Sequence, residues 1–454
     1  MDFSKLTIID ALDCRHEIPS TLTAGATFIQ QTITPENLTD TLKTYLSQGD
    51  LLIDLAYNIE STQVVAWCHA NGVMYLNTSI ELWDPYYDIE NTPPTERTLY
   101  VRHVGLRMLT DLWDEKGPTM ILEHGANPGL VSHWTKVALE TISERILDQL
   151  PASERRDHLQ EALQKAQWNQ MAHLTGTKVI HISERDTQIS HQPKRVDEFV
   201  NTWSVEGFYE EGIAPAEMGW GTHERRLPEG AHVHTFGPSN QICLNQMGIN
   251  TYVRSWVPMG EILGMVIRHG EAFTLSDFLT VYRGGIPIYR PTVHYAYMPT
   301  DAALASLHEM KMSNYDLQSQ IRIMRDEITE GKDELGVLLL GHDLNGWWVG
   351  SQLDIHEARR SVPGQNATTL QVAASVLGAL FYMIQHPHEG VLLPEQLPHR
   401  EILEVATPYL GPIASVQTDW TPLKNRFADE AWHKFGKPRP QAEDVWQFDT
   451  FWVR

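Results

Sequence analysis

Thr119-Met120-Ile121-Leu122-Glu123-His124-Gly125-Ala126-Asn127-Pro128-Gly129-Leu130-Val131-Ser132 decides how the rest of this chain is read. The stretch begins as a short apolar run of strand character, passes through a Gly-Ala-Asn-Pro-Gly turn, and continues into residues 131–139, whose apolar spacing is helical. A strand that stops at such a turn and starts a helix gathers unpaired backbone N–H groups and the positive end of the helix dipole in one place. In an open parallel sheet that place is the carboxyl edge, where ligands sit. Gly125 and Gly129 permit close backbone approach, and Asn127 offers a side-chain amide at the same edge. A plain helix cap accounts for the same residues without a ligand.

Upstream of the turn, apolar runs at residues 5–12, 26–31, 51–56 and 73–78 alternate with helical stretches at 35–46, 61–71 and 96–113, and Gly72 stops the second of these helices. Strands alternating with helices at short spacing predict an α/β fold with a doubly wound, Rossmann-type parallel sheet. Asp10 ends the first run. An acidic residue there binds adenosine ribose hydroxyls about twenty residues after a Gly-x-Gly-x-x-Gly loop. No such loop occurs in the chain. The expectation is therefore a dinucleotide-binding domain over residues 1–130 that is N-terminally incomplete, lacking its first strand, phosphate loop and first helix, and completed by a segment returning near 350–398. The alternative is that the likeness to a nucleotide fold misleads.

Downstream, the texture changes near residue 172 to period-two alternation, at residues 178–186, 198–208, 251–256 and 263–272. Alternation implies a sheet covered on one side. Residues 131–349 are expected to form a second, mixed-sheet α+β domain for substrate binding and dimerisation, lying over the cofactor edge. Residues 153–172 read as one charged, solvated connector helix. A strand follows at 335–342, then a helix ending at Gln385 and an extended run at 390–395. The Pro- and Trp-rich end, 399–454, reads as a wrapping tail.

The chain has 454 residues, 42% apolar and 20% charged, enough for two or three domains with proper cores. A formal charge of −23 argues against nucleic acid, which needs clustered Lys and Arg. It suits a cationic ligand, although solubility alone explains many acidic proteins. No bilayer-spanning run and no signal peptide are read, so a cytoplasmic protein without a membrane partner is expected. Cys14, Cys68 and Cys243 are isolated and read as free thiols. His223, Glu224, His232 and His234 lack a tight helical His pair, so no metal is expected.

Longer words carry a resemblance. The 125–129 turn, the Thr-rich start of the late helix and Gly390-Val391 with Pro394-Glu395 resemble the saccharopine dehydrogenase-type fold. His181-Ile182-Ser183-Glu184-Arg185-Asp186-Thr187-Gln188, Asn201-Thr202-Trp203-Ser204-Val205-Glu206-Gly207-Phe208, Gly219-Trp220-Gly221-Thr222-His223-Glu224-Arg225, Arg290-Pro291-Thr292-Val293-His294-Tyr295-Ala296-Tyr297 and Thr407-Pro408-Tyr409-Leu410-Gly411-Pro412 resemble the bacterial homospermidine synthase family, from residue 5 to the C-terminus. The resemblance implies an NAD-dependent aminobutyl transfer that joins two putrescines, or spermidine and putrescine, with the cofactor retained, in a homodimer. It also implies site residues. Glu184, Trp203 and Glu211 match an amine-binding Glu, a cation–π Trp and a further Glu; His269 matches a proton-transfer His; Asn127 matches the amide beside the nicotinamide. Glu81, Glu206 and Asn58 fall on the substrate side, and Asp10, Ala56, Thr78 and Asn127 on the cofactor side.

The chemistry asks for such a set independently. Hydride leaves only from a carbon bearing a neutral amine, so one end of a diamine dication must lose a proton while the other stays anchored. Asn58 departs from the family's Asp and can hold an ammonium only by its carbonyl oxygen. Structural readings stand beside these: Trp203 as core among Phe199, Val205 and Phe208, Glu184 in an ion pair with Arg185, His269 as a structural histidine, and Glu206 and Glu224 as residues that hold the fold. The rival functions are another oxidoreductase of the same fold, of carboxynorspermidine type, and a non-catalytic dimeric fragment.

Overall fold

The computed structural model describes residues 2–424, 434–436 and 441–454. In the N-terminal part, β1 (Thr7–Asp10) and β2 (Thr27–Gln30) form a parallel pair of their own. Strands β3 (Leu51–Asp54), β4 (Met74–Asn77) and β5 (Met120–Ile121) form a separate parallel sheet, extended past β5 by the strand Val391–Leu392. Helices cover both faces. On one, α2 (Leu38–Tyr45) and α3 (Ser61–Asn71) set Leu38, Leu42, Val64, Val65 and Cys68 against Tyr75, Met120 and Leu122. On the other, Leu380 and Met383 of the Ala367–Gln385 helix pack on Leu76 and Ile121. Gly72 ends α3 at a left-handed φ of 67°, where a side chain would crowd Gln48.

Helix α5 (Leu130–Gln149) joins the two halves of the molecule. It starts at the carboxyl edge of β5 and lies on the strands Lys332–His342 and Asn345–Asp354 of a large mixed sheet. Trp134, Ala138, Leu139 and Ile142 put its apolar side into the main core. In the middle of that sheet β6 (Val179–Asp186) runs parallel to Thr292–Met298 and antiparallel to Lys332–His342.

Three stretches differ from their sequence reading. Residues 153–172 form two helices, Glu154–Gln164 and Trp168–Thr175, separated at Ala166 with a positive φ of 50°. They are not a solvated connector, because Leu159, Ala162, Met171 and Ala172 are buried in the main core. Residues 198–208 are a strand only over Glu198–Asn201; the chain then turns into the helix Val205–Ile213, whose first turn is capped by the Ser204 hydroxyl accepting from the Gly207 N–H. A local cap and Glu-rich spacing override aromatic β-propensity there. Residues 263–272 divide likewise into the strand Gly260–Met265 and the start of the helix Glu271–Phe278.

The C-terminal segment contributes more than a surface wrap. Ile413–Thr418 adds an edge strand to the large sheet, and Trp452–Val453 pairs with Tyr252–Val257. Trp420, Phe448 and Phe451 belong to a second core beside Trp348 and Leu338. Residues 425–433 and 437–440 of that segment lie outside the described residues. The Ala367–Gln385 helix also corrects the sequence reading, since by length and composition it could cross a membrane. Here it serves as a core helix, 56% of its apolar window being buried.

A wrapping tail and a core segment differ in energy. Phe451→Ala is expected to lower the unfolding free energy by about 3–5 kcal/mol in urea titrations; a surface wrap would lose less than about 1 kcal/mol.

Candidate active site

The site begins where β3, β4 and β5 end. Asp54 accepts from the Ala56 N–H at 3.1 Å and from the Tyr75 hydroxyl at 2.9 Å. The Asn77 side-chain amide donates to Tyr75 Oη at 3.1 Å, while its carbonyl oxygen accepts from the Glu123 N–H at 2.8 Å. This chain of bonds ties three strand ends together and holds Glu123 at a left-handed φ of 56°. The turn that follows closes with the Gly125 N–H donating to the Pro128 carbonyl at 2.7 Å. Gly129 cannot be replaced there, because a Cβ would lie 1.8 Å from the Gly125 carbonyl oxygen. Thr78 lies beside the turn, 3.5 Å from where a Gly125 Cβ would be. Ala56 is exposed at the same edge. Asp10 stands apart at the end of β1, with one carboxylate oxygen accepting from the Leu12 N–H at 2.8 Å.

From the turn, the Asn127 amide reaches across to β6 and donates to Glu184 Oε2 at 3.3 Å. The same oxygen accepts from the Tyr295 hydroxyl. Tyr297 is the register partner of Glu184, and its ring stacks on Tyr295 with centroids 5.1 Å apart. The Trp203 indole N–H donates to Tyr297 Oη at 2.9 Å. His269 meets the Tyr295 ring edge-on at 4.4 Å. Its Nε2 lies 3.3 Å from Glu211 and its Nδ1 3.5 Å from Glu271. These are charge contacts at distances and angles short of good hydrogen bonds. Glu184, Asn127, Trp203, His269 and Glu211 are thus joined through two tyrosines.

The electrostatics of the set divide sharply. Burial drives the Glu184 carboxyl upward, against the bonds from Tyr295 and Asn127 and the nearby His269, and the net shift is up. Burial also opposes the charged form of His269. The carboxylates of Glu211 and Glu271 outweigh it and raise the imidazole to about 10. Burial thus favours the neutral form of Glu184, and the two carboxylates favour the cationic form of His269.

A second group lines a cavity of about 200 Å³: Glu81, Asn58 and Glu206, with Tyr57, Tyr86, Tyr209 and Glu210 among the other walls. Glu206 and Glu210 stand one turn apart on the Val205–Ile213 helix and face this cavity, while the adjacent Glu211 faces His269. Burial first, and Glu210 second, push Glu81 upward. Glu210 itself is kept at about 2, because Arg268 and Arg102 overcome its burial.

Specific contacts bear on the structural readings. Trp203 does pack on Phe208, but its polar edge belongs to Tyr297. Arg185 turns away from Glu184 to Met298 Sδ at 3.1 Å. Glu224 holds the C-terminal segment, accepting from the Thr292 hydroxyl at 2.7 Å and the Phe448 N–H at 3.1 Å. His223 bonds the Trp446 carbonyl and His234 stacks on Tyr100. Among the described residues no group of three or more His, Cys, Asp or Glu could hold a metal ion. Sequence reasoning missed Tyr295, Tyr297, Glu210 and Glu271. The alternation in Tyr295-Ala296-Tyr297 already put both rings on one face, and Glu271 stands only two residues from His269.

Residues 1–121 match the family described as Saccharopine dehydrogenase NADP binding domain, and residues 125–418 the Saccharopine dehydrogenase C-terminal domain. The chain is 40% identical over 463 residues to a homospermidine synthase of Blastochloris viridis, covering 100% of this chain and 92% of that protein. A homospermidine synthase of Mesorhizobium japonicum is 37% identical over 465 residues, with coverage of 100% and 91%. The crystal structure of a Legionella pneumophila homospermidine synthase in complex with NAD is similar at a TM-score of 0.86 and 38% identity, covering 100% of this chain and 93% of that one.

The His269 contacts have a sign in pH. A histidine raised in the folded state to about 10 contributes stability that is complete below its ordinary value near 6.5 and is lost as pH climbs through the folded value. Urea midpoints measured between neutral pH and about 10 should therefore fall in the wild type and fall less in Glu211→Gln. Equal slopes for the two proteins would remove Glu211 from the pairing.

Proposed function

This chain belongs to the homospermidine synthase family, and from that membership we propose that it is an NAD-dependent aminobutyl transferase making symmetrical homospermidine from two putrescines, with spermidine as an alternative donor. The observation that carries this reading is the single cluster in which the Asn127 turn, at the nucleotide edge, bonds Glu184, which Tyr295 also bonds, with the Tyr297–Trp203 pair stacked behind, beside a cavity walled by acids and aromatics.

The residues present fit two ends of the cofactor. Asp10 ends an early strand with a carboxylate suited to ribose hydroxyls, and Ala56 and Thr78 lie along the strand ends. The Gly125 turn leaves the backbone open where any Cβ at Gly129 would close it. The sequence contains no Gly-x-Gly-x-x-Gly loop for the pyrophosphate, so these residues account for the ribose and nicotinamide ends. When bound, NAD supplies a hydride acceptor that later returns the hydride, so the overall reaction involves no net oxidation.

The protein's own groups handle protons and charge. Glu184, buried and raised, takes the proton from the near ammonium so that its carbon can give up hydride. Asn127 and Tyr295 orient that carboxylate. Trp203 offers an indole face to the desolvated cation, an interaction worth about 2 kcal/mol or more. His269, held protonated by Glu211 and Glu271, gives a proton to the departing amine. Glu81, Glu206 and Asn58 receive the far ammonium in the cavity. A carboxylated substrate of the carboxynorspermidine type would need a cationic clamp, and among the described residues the cavity walls carry no Lys or Arg.

Incubating the protein with NAD+ and putrescine should yield homospermidine by mass spectrometry, with one ammonia per product; a protein that retains NAD+ yet forms no product from either donor rules the reading out. Glu184→Gln should lower kcat/KM for putrescine by at least about 100-fold while NAD+ binding persists. Asn58→Asp should lower KM for putrescine by restoring a full charge to the outer position, and an unchanged KM would take that position out of amine binding.

A further inference from the structure

Two carboxyls face each other in the large sheet with no cation between them. Asp186 ends β6, and Asp333 is its cross-strand partner on Lys332–His342. Both are buried. Directly opposed residues share a face, and so does the residue two positions along, which is Glu184. Asp186 is fully provided for as an anion. Its Oδ1 accepts from the Gln188 N–H at 2.9 Å and the Gln188 amide at 3.1 Å, and its Oδ2 accepts from the Thr202 hydroxyl at 2.6 Å.

Asp333 is not provided for. Its Oδ1 is buried without a partner, and its Oδ2 meets the Thr368 hydroxyl at 2.7 Å. That hydroxyl also lies 3.3 Å from Asp186 Oδ2. A hydroxyl has one proton to give, so Thr368 cannot donate to both carboxylates. The arrangement that satisfies the bridge places a proton on Asp333 Oδ2, donated to Thr368 Oγ1, which in turn donates to Asp186. Two ionised carboxylates this close in a dry interior repel strongly, and sharing one proton removes that cost.

The neighbours supply no alternative counter-charge. Glu184 and Tyr297 share the face, and His269 sits beyond Glu184. Glu334, next along the strand, is bonded by the Gln352 amide and the Met259 N–H, with Lys332 Nζ at 3.8 Å. The helix Ala367–Gln385 presents Thr368 and Gln371, whose amide goes to the Asp333 carbonyl at 3.2 Å. Among the described residues no Lys, Arg or His pairs with Asp186 or Asp333.

We propose that Asp186 and Asp333 share one proton through the Thr368 hydroxyl, and that the single negative charge of this pair keeps Glu184 able to take a proton from the substrate amine. The two aspartates are positioning residues. The second half of this inference rests on the proposed function; the first half does not. The charge count makes it testable. Two carboxyls with one proton carry one negative charge, each single Asp→Asn variant keeps one ionised carboxyl and the same charge, and only Asp186→Asn/Asp333→Asn is neutral.

The acid limb of kcat/KM for putrescine should keep its position in Asp333→Asn and move to lower pH in the double variant, by on the order of one to two pH units. A limb that moves as far in the single variant, or not at all in the double, overturns the link to Glu184. Infrared difference spectra at pH 7 read the proton without any assay. The carbonyl stretch of a protonated buried carboxyl should be present in the wild type and absent in Asp333→Asn. Thr368→Val, which removes only the bridge, should shift that band. If no such band separates wild type from Asp333→Asn, the shared proton is refuted whatever the protein catalyses. Where the double variant does not fold, a shifted band in Thr368→Val together with an unmoved limb in Asp333→Asn supports the proposal, and an unmoved band in Thr368→Val or a displaced limb in Asp333→Asn rejects it.

Discussion

The buried carboxyl of Glu184 is the constraint around which the rest is arranged. An ionised group out of water needs donors, and this one receives them from two different halves of the molecule: the Asn127 amide from the nucleotide edge and the Tyr295 hydroxyl from the large sheet. The two halves are therefore joined by the same contacts that solvate this buried carboxyl. Helix α5 makes that contact possible, since its N-terminus sits in the Gly125 turn and its apolar side is anchored on the strands beside β6. Displacing α5 would cost both its packing and the donor that Asn127 gives to Glu184.

Around Glu184 the charges are sorted by what surrounds each of them. Glu210 has two arginines and stays ionised. His269 has two carboxylates and stays protonated. Glu184 has only neutral donors within bonding distance, and burial raises its carboxyl. An acid–base pair pushed apart by environment, from residues of ordinary chemistry, is how one site can take a proton at one nitrogen and give one at another.

Much of the nucleotide-binding half was legible because its signals are local. Short apolar runs, a Gly stop and the helix of residues 61–71 need no distant partner to form, and Ser61–Asn71 with Gly72 behind it has the limits read from sequence. Where legibility failed, two local preferences competed. Thr202-Trp203-Ser204-Val205 carries β-branched and aromatic residues that suggest a strand, yet Ser204 is a helix cap, and the cap prevails because the Glu-bearing helix behind it closes on the cavity. The acids of the site were found through ordered words rather than periodicity. Their partners were not all so: Asp333 matters only through a pairing that crosses many tens of residues, and no pattern within a single element announces such a meeting. Tyr295 and Tyr297 fall between, visible as an alternating pair but not as the bridge between indole and carboxylate.

The strand Val391–Leu392 closes on β5 from far along the chain, and Trp452–Val453 closes on Tyr252–Val257. Neither sheet can reach its final pairing until these distant segments have been made. Domains ordinarily fold in the order they are made. Here the early strands must wait with an open edge, and such edges attract other chains. A nascent chain of this design needs its early edges shielded until Val391–Leu392 and Trp452–Val453 have emerged to pair with them.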